Sequence, residues 1–97
     1  MSRVIFTAPA KQDLREIAAY IARDNPDAAI RVVSRIRDVC KTTLATFPAG
    51  GTMRDELRSG LRSFTVGHYV IYFQGRNPVA ILRVLHGARD VTPEMFG

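Results

Sequence analysis

Cysteine is nearly absent from this 97-residue chain: Cys40 stands alone, so no internal disulfide can form, and a reducing cytoplasm is the expected compartment. With two histidines, His68 and His86, and no close spacing among them and Cys40, a zinc site is not expected either. Long apolar runs are missing. The longest stretch free of Asp, Glu, Lys and Arg, Ser63 to Gly75, has 13 residues and includes Gly67, too short for the roughly 20-residue apolar helix that spans a bilayer. Met1 to Phe6 leads straight into a strand-like run without a long apolar region or small-residue cleavage site, so no secretory signal is expected. Gly50-Gly51 and Gly87 lack the following lysine or helix of a phosphate-binding loop, and no cofactor motif occurs elsewhere. Lysine is scarce as well: Lys11 and Lys41 are the only two among 14 basic residues.

What is present is arginine, twelve of them, giving a net charge of +5 and a pI near 10.1. Planar guanidinium forks suit carboxylates and phosphates, so the surface is equipped for an acidic protein or for nucleic acid, although solubility alone also accounts for net charge. Apolar residues make up 46% and charged residues 24%, the balance of one compact domain with a modest core that a stable partner would reinforce.

Val4-Ile5-Phe6 predicts a first strand within residues 1–7. A helix follows. Thr7 is its cap, Pro9 lies in its first turn, and Leu14, Ile17, Ala18 and Ile21 fall on one face, with an end expected near Asp24. Asn25-Pro26-Asp27 breaks and restarts the chain, supplying a cap, a residue preset for the first helical position and a negative charge at the positive end of the dipole. Val33, Ile36, Cys40 and Leu44 then mark a second apolar stripe, so residues 8–47 form an antiparallel helix hairpin whose outward side carries Arg31, Arg35, Arg37 and Lys41, with Asp27 and Asp38 at pairing distance.

Phe47-Pro48-Ala49-Gly50-Gly51 ends the helical half, and Thr52 to Ser59 reads as a polar loop containing Arg54 and Arg58. The period then changes to that of strands. Leu61–Val66, Tyr69–Gln74 and Val79–His86 form an antiparallel meander within residues 60–86, followed by a tail over residues 87–97. The fold class is α+β, with the hairpin packed on one sheet face. Simple alternation puts Val79, Ile81, Arg83 and Leu85 on one side of the last strand and Ala80, Leu82, Val84 and His86 on the other. Arg83, a charge in an apolar strand, must be ion-paired or aimed from an opening at a phosphate or carboxylate; Arg62 poses the same choice beside Phe64 and Val66. His86 stands at a strand end where it could exchange protons, or serves only as a structural residue, while His68 lies in a turn. Tyr69, Tyr72 and Phe73 read as sheet core, and Met53 and Met95 as loop and tail packing.

Asp13-Leu14-Arg15-Glu16-Ile17 with Tyr20-Ile21-Ala22, Asp24-Asn25-Pro26, Glu56 to Phe64, Tyr69-Val70-Ile71-Tyr72 and Arg83 to Asp90 together resemble the RelE/ParE superfamily of bacterial toxins, most closely its ParE branch, from Val4 to Asp90. That resemblance implies a toxin of a type II toxin-antitoxin system, wrapped and neutralised by a cognate antitoxin. ParE-type toxins act on DNA gyrase; RelE-type toxins enter the ribosome and cut mRNA. The cutting branch uses a lysine-rich loop and a tail tyrosine, yet no lysine follows Lys41 and no tyrosine follows Tyr72. A binding inhibitor of gyrase is therefore the expectation, with no catalytic residue and with Arg31, Arg35, Arg58, Arg62, Arg83 and Arg89 meeting partners. The alternative is a ribosome-dependent mRNA endoribonuclease centred on Arg62, Arg83 and His86, in which arginine, held protonated, could stabilise charge but not act as base. Neither oligomeric state nor the identity of the antitoxin is legible in the sequence.

Overall fold

The computed structural model describes residues 2–97. Five strands form one sheet in the order β1-β5-β4-β3-β2: β1 (Val4–Phe6), β2 (Thr52–Met53), β3 (Arg62–Val66), β4 (Tyr69–Gln74) and β5 (Val79–His86). The expected meander is its centre, β3-β4-β5. Two strands extend it on either side. β1 pairs parallel with β5, which the helix hairpin permits because it carries the chain across the sheet, and β2 arises inside the segment expected to be a loop. Gly51 makes β2 possible: at φ 78° a Cβ there would lie 2.3 Å from the Ser63 carbonyl oxygen, so only glycine brings the chain this close to β3. Gly67, at φ 59°, is the first of the two residues that turn β3 into β4.

Helix α1 (Ala8–Ala22) starts where the sequence indicates, with the Thr7 hydroxyl accepting from the Ala10 amide at 3.3 Å. Helix α2 (Pro26–Val39) starts on Asn25, whose side chain accepts from the Ala28 amide at 3.0 Å. It continues through a π-helical stretch, Cys40–Leu44. The Thr42 hydroxyl donates to the Asp38 carbonyl at 2.6 Å, competing for the acceptor that an α-helical backbone would use, and the coil widens there.

Both helices cover one sheet face, burying Leu14, Ile17, Ile36, Cys40 and Leu44 against Ile71, Phe73, Val79, Ile81 and Val84. The opposite face carries a second cluster of Leu57, Leu61, Tyr72, Leu85 and Phe96. Both faces of β4 and β5 are thus covered, as their nearly continuous apolar runs require.

Alternation fails in β5. Tyr72 pairs with Arg83 and Phe73 with Ile81, which leaves Leu82 as an extra residue in a β-bulge. Val79 and Ile81 therefore share the helix-covered face with Val84, not with Leu85, while Leu82 and Leu85 join the second cluster. One inserted residue reverses every assignment after it. The tail also differs from an open appendage: Pro93–Phe96 forms a 3-10 turn that folds back on the sheet and sets the Phe96 ring 5.2 Å from that of Tyr72. Arg58 donates to the Phe96 carbonyl and Arg83 to that of Met95.

Candidate functional site

β1 stops at Phe6, and from there the edge of β5 has no strand to pair with. Side chains replace it. The Thr7 hydroxyl lies 2.9 and 3.1 Å from the carbonyl oxygens of Ile81 and Leu82. Asp13, one turn into α1, accepts from the Val84 amide at 2.9 Å. The same carboxylate holds Arg83 in a fork, Nε at 2.7 Å and Nη2 at 2.9 Å, and is itself buried. This hydrogen bond raises the Arg83 pKa further above its ordinary value. Arg83 is therefore ion-paired, one of the two roles its strand position allowed, with its third contact on the tail.

Beyond this pair α1 and the ends of β4 and β5 diverge, leaving a cleft of about 500 Å³. Asp13, Glu16, Ile17 and Tyr20 line one wall, at the spacing that puts them on one face of α1. His68, Tyr69, Val84, His86 and Arg89 line the other. Tyr69 and His86 are register partners, so their side chains share a face and their rings meet edge-on at 5.5 Å. The His68 ring stacks on that of His86, 9° from parallel at 6.2 Å between centroids, and the Gly87 amide donates to the His68 carbonyl at 2.8 Å. The two histidines, 18 positions apart in sequence, thus sit together. His86 Nδ1 accepts from the Ala88 amide at 3.0 Å, so a neutral ring carries its proton on Nε2. Partial burial, with Tyr20 nearby, raises the Tyr69 phenol above its ordinary pKa.

The remaining arginines are dispersed. Arg62 pairs with Met53 and Phe73 at the far end of β3, four residues or ~13 Å from Val66 and the turn that carries His68. Arg62, Arg83 and His86 thus do not converge. Arg58 is bound to the tail, and Arg89 is exposed at the cleft. Arg31 and Arg35 line a shallow groove on α2 with Ser34 and Asp38, while Arg37 turns inward over the Phe6 ring at 5.4 Å, contrary to its expected outward position. Asp27 and Asp38 make no ion pair; among the described residues the ion pairs are Arg54–Glu56 and Arg83–Asp13. A second, apolar groove runs between α1 and α2, lined by Ala18, Ala22, Ala29, Ile30 and Val33, and Ser34 joins it to the arginine groove. No group of three His, Cys, Asp or Glu residues able to hold a metal occurs among the described residues.

Asp13, Glu16 and Tyr20 are site residues that the sequence does not single out. The available signal was a carboxylate, Asp13, beside the apolar stripe of α1, matching the unexplained charge of Arg83.

Comparison with known proteins agrees with this architecture. The sequence profile of the ParE toxin of the type II toxin-antitoxin system parDE matches residues 4–91. The toxin ParE3 of Caulobacter vibrioides is 34% identical over 97 residues, an alignment covering 98% of this chain and 96% of ParE3. The chromosomal ParDE toxin-antitoxin system of P. aeruginosa includes a chain of the same fold, with TM-score 0.71 and 23% identity over 89% of this chain and 96% of that one. A chain of the toxin-antitoxin complex RelBE2 of Mycobacterium tuberculosis superposes with TM-score 0.67 and 27% identity, covering 91% of this chain and 93% of its own. The chain belongs to the ParE toxin family of type II toxin-antitoxin systems, within the RelE/ParE superfamily.

Proposed function

We propose that this chain is a toxin that arrests replication by binding DNA gyrase in the cytoplasm, without cutting RNA, and that a cognate antitoxin neutralises it. The observation that carries the non-nucleolytic part is the commitment of Arg83 to Asp13, with Arg62 distant at the other end of β3. Cleavage of a phosphodiester needs a proton-transfer pair and several cations around the phosphate. His86 and His68 could move protons, but Arg83 is neutralised by Asp13 and Glu16 faces the same cleft without a cation partner among the described residues, so an RNA phosphate would meet its negative charge. Membership of the ParE branch supports gyrase as the target; the fold by itself hosts both activities and does not choose between them.

The antitoxin partner is supported by the two-part groove on the helix hairpin and by the toxin-antitoxin systems in which the structural neighbours occur. Ile30 is 67% exposed between the helices and offers an apolar anchor point; Arg31 and Arg35, free of ion pairs, offer charge beside it. An acidic amphipathic helix fits both. Inducing the chain without its antitoxin, while following DNA synthesis, translation and mRNA 5′ ends in the same cells, tests the proposal. DNA synthesis should fall first with transcripts intact; early transcript cutting would favour the endoribonuclease.

A further inference from the structure

Two concavities flank α1: the hairpin groove on one side and the aromatic cleft on the other. The cleft has the make-up of a protein-docking pocket. Ile17, Val84 and the rings of Tyr20 and Tyr69 form its apolar walls; Asp13 is committed to Arg83, and the uncommitted charges, Glu16 and Arg89, are both exposed. Tyr20 is 68% exposed, a large aromatic side chain left mostly uncovered by the described residues. Arg89 has no carboxylate within ion-pair distance among the described residues, and the imidazoles beside it supply N–H donors. The unmet charge on this wall is positive and that on the facing wall, at Glu16, is negative, so a complementary occupant is a protein surface of mixed charge that brings a carboxylate to Arg89. RNA suits the cleft poorly: Arg89 is the one arginine in its lining, and a phosphate chain needs several cations.

We infer that this cleft is where the toxin grips its target protein, receiving an apolar or aromatic anchor side chain whose neighbouring carboxylate meets Arg89 and the His68–His86 pair. The inference rests on the proposal that the chain acts by binding, and it names the surface. Tyr and Arg are the residue types that most often dominate such interfaces, so truncating or reversing either removes most of the grip.

The test uses the full chain carrying Tyr20→Ala or, separately, Arg89→Glu, both at exposed positions. Each variant should restore viability on induction by about tenfold or more. Its melting temperature should stay within about 2 °C of the parent and its antitoxin affinity within about threefold. If wild type arrests growth while gyrase is untouched, yet both variants lose arrest, gyrase is the wrong target and the cleft assignment stands. Undiminished toxicity of either folded variant overturns the cleft assignment. So does a parallel loss of antitoxin affinity, which gives the cleft to the antitoxin, or a loss of transcript cutting that wild type performs, which gives it to RNA. A wild-type chain that arrests nothing overturns both proposals.

Discussion

Asp13 and Arg83, 70 positions apart, close the open edge of the sheet: one carboxylate holds the guanidinium at 2.7 and 2.9 Å and the neighbouring Val84 amide at 2.9 Å. A helix side chain thereby stands in for the strand that ends at Phe6, and through the Met95 carbonyl the same arginine reaches the tail. Removing Asp13 leaves a largely buried Arg83 and the Val84 amide without their acceptor. Asp13→Ala should cost about 3–5 kcal/mol in urea unfolding, and Asp13→Ala with Arg83→Ala together should cost less than the sum of the two. Strict additivity would mean that the pair contributes nothing as a pair.

The tail is a structural element. Phe96 is buried against Tyr72, Leu57, Leu61 and Leu85, so Phe96→Ala should destabilise by about 3 kcal/mol or more. Deleting residues 92–97 should uncover the outer sheet face and raise binding of an apolar dye. Any activity lost on truncation must then be compared with folded content by circular dichroism before a contact is assigned to the tail. A truncated chain of unchanged stability would contradict the packing of this second core.

Cys40 lies wholly inside the helix-covered core, where burial pushes its thiol up to about 12. It should resist thiol reagents in the native state and react on unfolding. The raised folded value stabilises the protein fully below the unfolded thiol's range near 9 and is lost as pH climbs toward 12. The stability difference between wild type and Cys40→Ala should therefore shrink between pH 8 and 11 in parallel urea titrations. A constant difference would show that the thiol ionises in the fold as freely as outside it.

Much of the fold was legible because local chemistry and tertiary packing agree. Thr7 and Asn25 cap the helices, Pro26 restarts the second, and Gly67 turns the meander, as their residue types dictate. β2 was not legible, because two residues carry no periodicity and Gly51 acts through a neighbour distant in sequence. The bulge at Leu82 was hidden for a related reason: an apolar run with both faces buried has no alternation for an extra residue to interrupt. At the site, Arg83 and His86 announced themselves as polar groups at informative strand positions. Their surroundings did not, since Asp13 and His68 reach them only through the packing of α1 and the return of the β3–β4 turn.

His86 separates binding from catalysis. His86→Gln keeps an N–H donor for a partner's carboxylate but cannot shuttle a proton, so a toxin that acts by binding, with Arg89 as the main charge in its cleft, should retain most of its growth arrest, measured as colony counts after induction. Loss of arrest in a folded, antitoxin-binding His86→Gln protein, together with loss of transcript cutting that the wild type performs, would point to proton transfer.

Supercoiling of relaxed plasmid by purified gyrase, titrated with the purified toxin, bears most directly on the central claim. Supercoiling should fall as toxin is added and recover when the cognate antitoxin is supplied. Unimpaired supercoiling at saturating toxin, with His86-dependent cutting of ribosome-bound mRNA by the same preparation, would contradict it.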